Sequence, residues 1–203
     1  MSRPLQHPLR GILLFLLAQT MFASLDATSK YLTAFFAVPL LVWARYLVHF
    51  VLMLLFVAPS MRGELVRTAN PRLQVVRALA LLSVTGCGMA AFRVMPLAEA
   101  TSVLFLAPLL VTLMAGPLLG ERIGRARWLA VGIGFAGVLL VVRPGSGLNL
   151  AGVLWALGGA FSYALYQILT RKLSQAEHPM RQLFYTALVG TAVTSAALPW
   201  IWQ

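Results

Sequence analysis

Residues 93–145 read RVMPLAEATSVLFLAPLLVTLMAGPLLGERIGRARWLAVGIGFAGVLLVVRPG. Two apolar runs, 97–119 and 127–142, stand on either side of a short basic turn. A helix needs roughly 20 predominantly apolar residues to cross the hydrocarbon core of a bilayer. The stretch therefore predicts two membrane-spanning helices that run in opposite directions and are joined by a short, positively charged connection.

The same pattern continues on both sides of this stretch. Apolar windows between charged residues, Pro or Gly predict seven spans in all, at residues 11–32, 39–58, 74–92, 97–119, 127–142, 150–170 and 182–202. A barrel strand would need only about 10 residues of alternating pattern. The predicted fold class is all-α, a polytopic transmembrane helix bundle.

The composition excludes an ordinary soluble domain. Hydrophobic residues make up 60% and charged residues 10% of the 203 residues, and the mean hydropathy is +0.85. Soluble domains carry roughly 25% charged and at most about 50% apolar residues. The net charge of +11 comes from basic residues scattered singly between apolar segments, so no nucleic acid is expected as a partner. The predicted partner is the lipid bilayer, and Cys87 is expected to pack inside a span.

The distribution of Lys and Arg predicts the orientation, because cytoplasmic loops retain positive charge during insertion. With the N-terminus inside, Lys30, Arg93 and Arg143 fall at outer ends and Arg45 falls inside a span. The remaining basic residues fall on the cytoplasmic side: Arg3, Arg10, Arg62, Arg67, Arg72, Arg77, Arg122, Arg125, Arg127, Arg171, Lys172 and Arg181. We therefore expect a multi-pass protein of the cell (inner) membrane, with a cytoplasmic N-terminus and an external C-terminus of this chain.

An internal repeat links the first and sixth predicted spans. When Gly11 is set on Gly152, GILLFLLAQTMFASLDATSKYL lies over GVLWALGGAFSYALYQILTRKL, so that Asp26 meets Gln167 and Lys30 meets Arg171. Five spans separate the two starts, and an odd number predicts a second copy of inverted topology, as in many secondary transporters. We expect a five-span repeat at 11–145 and a partial second repeat of two spans at 150–203. An equal second copy would need on the order of 80 further residues, which predicts a truncated chain.

Three motifs resemble the EamA type of the drug/metabolite transporter superfamily. They are Pro-Leu-Ala-Glu-Ala at 96–100, Leu-Leu-Gly-Glu at 118–121 before a basic turn, and Arg-Pro-Gly at 143–145. The resemblance covers essentially the whole chain. It implies export of small solutes such as amino acids, metabolites or drugs, through ten spans with both termini in the cytoplasm. This chain departs from that pattern by ending after the seventh span.

Ionisable residues near the outer ends of the first two spans are candidates for substrate binding or coupling, because charge inside a membrane is costly and marks function. Asp26 and Lys30 lie one helical turn apart and can neutralise one another. Arg45 can snorkel outward, pair with Asp26 or bind an anionic substrate. The alternative is a structural ion pair at the outer mouth.

Three further candidates lie in later spans. Glu99 starts the fourth span beside Arg93, either as a carboxylate stabilised by the helix dipole and that arginine or as a group that binds protons or cations. Tyr163 and Gln167 share a helix face, with Tyr166 beside it. Aromatic surfaces with polar tips suit a broad, amphipathic substrate pocket, and interhelical hydrogen bonding is the alternative.

Glycines inside the spans predict close helix packing. Gly132, Gly134 and Gly137 spell GxGxxG, but no strand precedes them, so packing is favoured over a dinucleotide site. Gly120 is likewise predicted to serve close helix packing. The chain contains no HExxH pair and no GxSxG elbow, so neither an enzyme nor a metal or cofactor is predicted.

Taken together, these patterns predict a secondary transporter. It would move a small metabolite, amino acid or drug-like solute by efflux or exchange, with the two repeats rocking about a central cavity. Protons are a candidate coupling ion, and a homo-oligomer is possible on these grounds. The alternative is an inactive fragment or a non-catalytic membrane assembly partner.

Overall fold

A computed structural model describes residues 8–120, 124–142 and 149–201, and all regular structure in these ranges is helical. The α-helices are α1 Pro8–Leu32, α2 Val38–Leu52, α3 Ala58–Met61, α4 Pro71–Val94, α5 Leu97–Leu104, α6 Ala107–Leu119, α7 Arg125–Val142, α8 Leu150–Leu173 and α9 Pro179–Ile201. A π-helical turn, Met53–Val57, joins α2 to α3, and a 3₁₀ turn, Arg62–Leu65, follows. The predicted all-α fold class is confirmed.

Six helical segments of the described chain are long and apolar enough to cross a membrane: Gly11–Leu32, Val38–Met61, Pro71–Val94, Leu97–Gly116, Leu150–Leu173 and Pro179–Trp200. They match six of the seven predicted spans. The fifth predicted span coincides with α7, a helix of 18 residues that is not one of the six. Arg122 and Arg143, used above for orientation, lie outside the described residues.

The helix boundaries follow from local chemistry. α4 and α9 begin at Pro71 and Pro179, since proline fits the first helical turn, where its missing N–H has no partner to lose. The side chain of Asn149 caps α8 by accepting a hydrogen bond from Gly152 N at 3.2 Å. Gly120 ends α6 with φ 69°, a left-handed conformation that favours glycine. Its predicted role in helix packing is therefore wrong, because it terminates the helix.

The centre of the bundle is the long contact between α4 and α8, which α5 and α6 extend. Small residues line it, because helices in lipid associate by close packing and not by hydrophobic burial. Fully buried alanines here are Ala91, Ala100, Ala156 and Ala160. A Cβ added to Gly159 would lie 2.8 Å from Leu104 Cδ2 and 3.4 Å from Cys87 Cβ, so glycine permits this approach.

The other helices surround this centre. α9 packs on α2 and α4, while α7 packs on α5 and α6. Gly134 of α7 is a packing position, since an added Cβ would lie 2.8 Å from Leu109 Cδ1. Gly132 and Gly137 face open space, so the packing prediction holds only at Gly134. α1 lies on the outside of the bundle and meets α4 and α5 near its C-terminal end.

Candidate functional site

Arg77 is a charged residue that is buried within the described part of the bundle. It is the seventh residue of α4, about 9 Å from the helix start at 1.5 Å per residue, and it is 2% exposed. The sequence analysis assigned Arg77 to the cytoplasmic flank. The side of the membrane stays a prediction, but the structure adds that the side chain points into the bundle between α8 and α9, where it bonds to both helices.

The guanidinium of Arg77 joins three helices. Nε donates to Thr170 Oγ1 at 2.7 Å and Nη2 donates to Tyr166 Oη at 3.0 Å, both on α8. Nη1 donates to Gln182 O and Thr186 Oγ1 on α9, each at 2.9 Å. The guanidinium carbon also lies 4.7 Å from the centroid of the Tyr166 ring, a cation–π contact. We call these five residues the Arg77 network.

Gln74 lies one helical turn before Arg77 on the same face of α4 and is 0% exposed. Neither its side-chain nitrogen nor its side-chain oxygen has a hydrogen-bond partner among the described residues. Buried amides are nearly always hydrogen-bonded, because an unpartnered one keeps its desolvation cost. Gln74 is therefore an unsatisfied donor and acceptor beside a buried cation.

The α8 face predicted from the sequence is formed. Gln167 Nε2 donates to Tyr163 Oη at 3.0 Å, and the rings of Tyr163 and Tyr166 stack with centroids 6.0 Å apart. Tyr163 is 36% exposed, whereas Tyr166 reaches the buried Arg77. The stacked rings thus run from an exposed position to the buried cation, and the substrate role of Tyr163 and Gln167 stays a prediction.

Asp26 and Lys30 do not form the predicted ion pair. Lys30 Nζ instead donates to the carbonyls of Phe92 and Met95, the latter at 3.0 Å, at the C-terminal end of α4. Free carbonyls and a negative dipole end make that position favourable for a cation. Asp26 lies within electrostatic range of Arg45 of α2, but the described hydrogen bonds and ion pairs include none between them.

Glu99 stands apart from the other candidates. It lies in the first turn of α5, and Arg93 is exposed at the end of α4 without bonding to it, so the predicted contact is absent from the described hydrogen bonds and ion pairs. One carboxylate oxygen of Glu99 is buried without a partner in the described chain. Within the same residues no group of three His, Cys, Asp or Glu is placed to hold a metal ion.

Glu177, which the sequence analysis did not single out, joins the connection before α4 to the start of α9. Its carboxylate has 0% side-chain exposure and accepts hydrogen bonds from Thr68 Oγ1 at 2.5 Å, Ala69 N at 3.0 Å and Arg181 Nη1 at 2.6 Å. We call these four residues the Glu177 clamp. Burial raises the pKa of Glu177, but the bonds from Thr68, Arg181 and Ala69 outweigh it and hold this pKa below its usual value.

Two further bonds strengthen the clamp. Arg181 Nε donates to Glu64 O and Tyr185 Oη donates to Val66 O, each at 2.8 Å. The connection between α3 and α4 is thereby fixed to the first turns of α9. A hint was visible in the sequence, since Glu177 is one of five acidic residues and precedes Arg181 by one helical turn. Its partners at 68 and 69 could not be read from that spacing.

Comparison with known proteins gives consistent results. The model of the EamA-like transporter family matches residues 9–143. The chain is 29% identical over 191 residues to a riboflavin transporter of Vibrio cholerae, covering 91% of this chain and 63% of that protein. It is 29% identical over 195 residues to an S-adenosylmethionine uptake transporter of Rickettsia prowazekii, covering 96% of this chain and 66% of that protein.

A third relative is the pseudopaline exporter CntI of Pseudomonas aeruginosa, 29% identical over 195 residues, covering 95% of this chain and 66% of that protein. No solved structure matches the chain significantly. The chain therefore spans about two thirds of the length of these curated relatives.

Proposed function

The chain belongs to the EamA-like transporter family, and on this premise we propose that it moves a small organic solute across the membrane by alternating access. The observation that carries this proposal is the Glu177 clamp. It closes one end of the bundle with a few hydrogen bonds and one ion pair between a connection and a helix start. Such a contact can open without disturbing the packed helices, which is what a gate requires.

The inverted repeat is part of this proposal, and the turns after α1 and α8 support it. Both turns carry the same hydrogen bonds at a spacing of 141 residues, and α2 and α9 start with that spacing too. In the first turn the bonds run from Phe36 N to Leu32 O, from Leu40 N to Ala37 O and from Thr33 Oγ1 to Lys30 O. In the second turn the corresponding bonds run from Glu177 N to Leu173 O, from Arg181 N to His178 O and from Ser174 Oγ to Arg171 O. The first pair of helices and the last pair thus share one local design, as repeats do.

The distribution of basic residues places the clamp end in the cytoplasm under this proposal. The described conformation is then closed toward the cytoplasm. An apolar cavity of about 240 Å³ lies toward the other end, between α2, α4 and α9, and Val38, Leu82 and Leu198 are among its lining residues. The bacterial inner membrane is the proposed location, since the relatives are bacterial membrane transporters.

The candidate residues divide into three groups under this proposal. Tyr163 and Gln167 line the solute path, while Asp26, which lies within electrostatic range of Arg45, is a candidate for coupling by protons. Lys30 supports the end of α4, which leaves it less suited to solute binding. Glu99 keeps an unpartnered oxygen near the outer end and is the remaining candidate for proton binding.

Transport is tested by reconstituting the chain in proteoliposomes and measuring flux with and without a proton gradient. Riboflavin and S-adenosylmethionine are the first probes, because the relatives named above carry them. Flux above that of protein-free liposomes is expected for at least one solute of a wider panel. A folded, membrane-inserted chain that moves none of them would contradict the proposal and favour a non-catalytic assembly partner.

A further inference from the structure

Arg77 is a buried cation whose described partners are all neutral. It bonds to three hydroxyl groups and one backbone carbonyl, and no carboxylate lies among the partners that the described chain supplies. An ionisable group inside a span is costly and marks a functional site by default. The missing partner that the chemistry calls for is an anion.

Gln74 is a second, independent observation at the same place. Its amide is fully buried on the Arg77 face of α4, and both its polar atoms lack a partner among the described residues. Folded proteins rarely retain such a group unless a water, an ion or a ligand supplies the partner. An oxyanion could accept a hydrogen bond from this amide and from the neighbouring guanidinium together.

We propose that Arg77 and Gln74 recognise a carboxylate or phosphate group of the transported solute, which reaches them when the Glu177 clamp opens. This inference rests on the proposed transport function and names the class of solute, an organic anion. The guanidinium offers a planar fork of donors that suits carboxylate and phosphate oxygens.

The partners of Arg77 are suited to exchange. Thr170, Thr186 and Tyr166 now accept hydrogen bonds from the guanidinium, but a hydroxyl group can also donate. An anion that displaces them would therefore gain the guanidinium and could retain the hydroxyl groups as additional donors. In the absence of solute, the same hydroxyl groups keep the buried cation solvated.

The clamp and the Arg77 network share the start of α9. Arg77 Nη1 bonds to Gln182 O, and Gln182 directly follows Arg181 of the clamp. Gln182 Nε2 also donates to Glu177 O at 3.4 Å. A movement of this first turn that opens the clamp therefore also releases a partner of Arg77.

The opposite approach to Arg77 is aromatic. The stacked rings of Tyr163 and Tyr166 lead from an exposed position to the guanidinium. A planar apolar body could lie along these rings while its anionic group reaches Arg77. An aromatic carboxylate therefore fits the site better than a small inorganic anion.

Equilibrium binding tests this inference without requiring transport. The full chain is placed in nanodiscs of zwitterionic phosphatidylcholine, and calorimetry measures the affinity for benzoate, neutral benzamide and inorganic phosphate at constant ionic strength. Glu177→Gln weakens the clamp and should raise benzoate affinity, because a closed site lowers the apparent affinity by the fraction of open molecules. Benzamide should bind at least about tenfold more weakly than benzoate.

Three further variants in the Glu177→Gln background locate the site. Arg77→Gln should lower benzoate affinity at least about tenfold, and Gln74→Leu should lower it severalfold. Arg72→Gln is the matched control, since Arg72 is an exposed arginine of the same helix, and it should leave the affinity unchanged. Glu64→Gln removes an exposed charge near the clamp and controls for the electrostatic effect of Glu177→Gln.

Specific results would overturn the inference. Equal affinities for benzoate and benzamide, or an Arg72→Gln effect as large as that of Arg77→Gln, would do so. If Arg77→Gln does not fold, Gln74→Leu decides: unchanged benzoate affinity overturns the inference, and a loss supports it.

A lipid phosphate is the other source of the same chemistry. Nanodiscs that contain phosphatidylglycerol distinguish the two sources. If this lipid abolishes the Arg77-dependent binding of benzoate, the site belongs to a lipid headgroup and the solute assignment is overturned. Flux without Arg77-dependent benzoate binding would overturn this inference alone. Arg77-dependent binding without flux would support the anion site and contradict only the proposed transport function.

Discussion

Gly190 and Tyr46 set the distance between α9 and α2. Tyr46 is 3% exposed, its hydroxyl lies 3.3 Å from Thr85 Oγ1, and a Cβ added to Gly190 would overlap its ring. The absence of a side chain at Gly190 is therefore what lets the buried tyrosine sit between α2, α4 and α9.

Gly190→Ala should destabilise the protein by about 1–3 kcal/mol, because the ring of Tyr46 must leave its place or the helices must separate. Thermal unfolding in detergent, followed by circular dichroism, measures the effect. Gly86→Ala is the matched control, since Gly86 lies inside α4 with nothing within 4 Å of an added Cβ. Alanine should there be neutral or stabilising by up to about 1 kcal/mol, and equal effects of the two changes would contradict the packing argument.

Glu177 should make stability depend on pH. Its folded-state pKa is lowered from 4.5, because hydrogen bonds and Arg181 outweigh the effect of burial. The stabilisation by the carboxylate is therefore fully present above the unfolded-state pKa, and it is lost as the pH falls through the lower folded-state pKa. The melting temperature of wild type should exceed that of Glu177→Gln at pH 7, and the difference should shrink below about pH 4.

Glu64→Gln is the control for this pH series. The Glu64 side chain is exposed, and only the backbone carbonyl of this residue bonds to the clamp. The melting temperature of this variant should follow that of wild type across the range. A wild-type advantage over Glu177→Gln that persists unchanged at pH 3.5 would mean that the carboxylate charge does not hold the clamp.

At the scale of elements, α1 is attached to the bundle mainly through its C-terminal turns. Ser29 and Thr33 are buried there, whereas the rest of α1 is largely exposed. Lys30 reaches the last carbonyls of α4, which have no partner within their own helix. One side chain thus ties two helix ends together.

Lys30→Met should loosen the end of α1 and lower stability by about 1–2 kcal/mol, because the carbonyls of Phe92 and Met95 lose a charged donor. Hydrogen exchange should rise in residues 28–36, and thermal unfolding should shift with it. Lys172→Met, an exposed lysine in the last turn of α8, should change neither. A loss of solute binding without loss of stability would instead support the original reading of Lys30 as a substrate ligand.

At the scale of the whole molecule, contacts distant in sequence join the elements at the clamp end and around Arg77. Thr68 and Glu177 are 109 residues apart in the chain, and Arg77 and Thr170 are 93 apart. Alternating access requires the clamp to open and close within a cycle, whereas the alanine-lined centre need not separate.

Cross-linking the clamp should stop transport reversibly. In a Cys87→Ser background, Thr68→Cys with Glu177→Cys should be joined by a short bis-methanethiosulfonate reagent, because Thr68 Oγ1 meets the end of the Glu177 side chain and the shorter cysteine leaves a gap for the reagent to span. Flux in proteoliposomes should fall to the protein-free level and return with reductant. Each single-cysteine variant is a control whose flux the reagent should leave unchanged, and undiminished flux after complete cross-linking would exclude this end as a gate.

The sequence alone determined the helices and their family. Apolar windows mark six spans that the structure retains, and the motifs at 96–100, 118–121 and 143–145 indicated the EamA type, to which the chain belongs. These features are local, because the length and hydropathy of one segment are enough to predict a span.

The tertiary structure decided what the charged residues contact. A hydropathy window averages over all faces of a helix, so it placed Arg77 within the span 74–92 but could not show that its side chain is buried and bonds to α8 and α9. Spacing along α1 paired Lys30 with Asp26, but the end of α4 lay within reach and offered free carbonyls. Glu177 found its partners 108 and 109 residues away, and only the packing of α9 against that connection could bring them together.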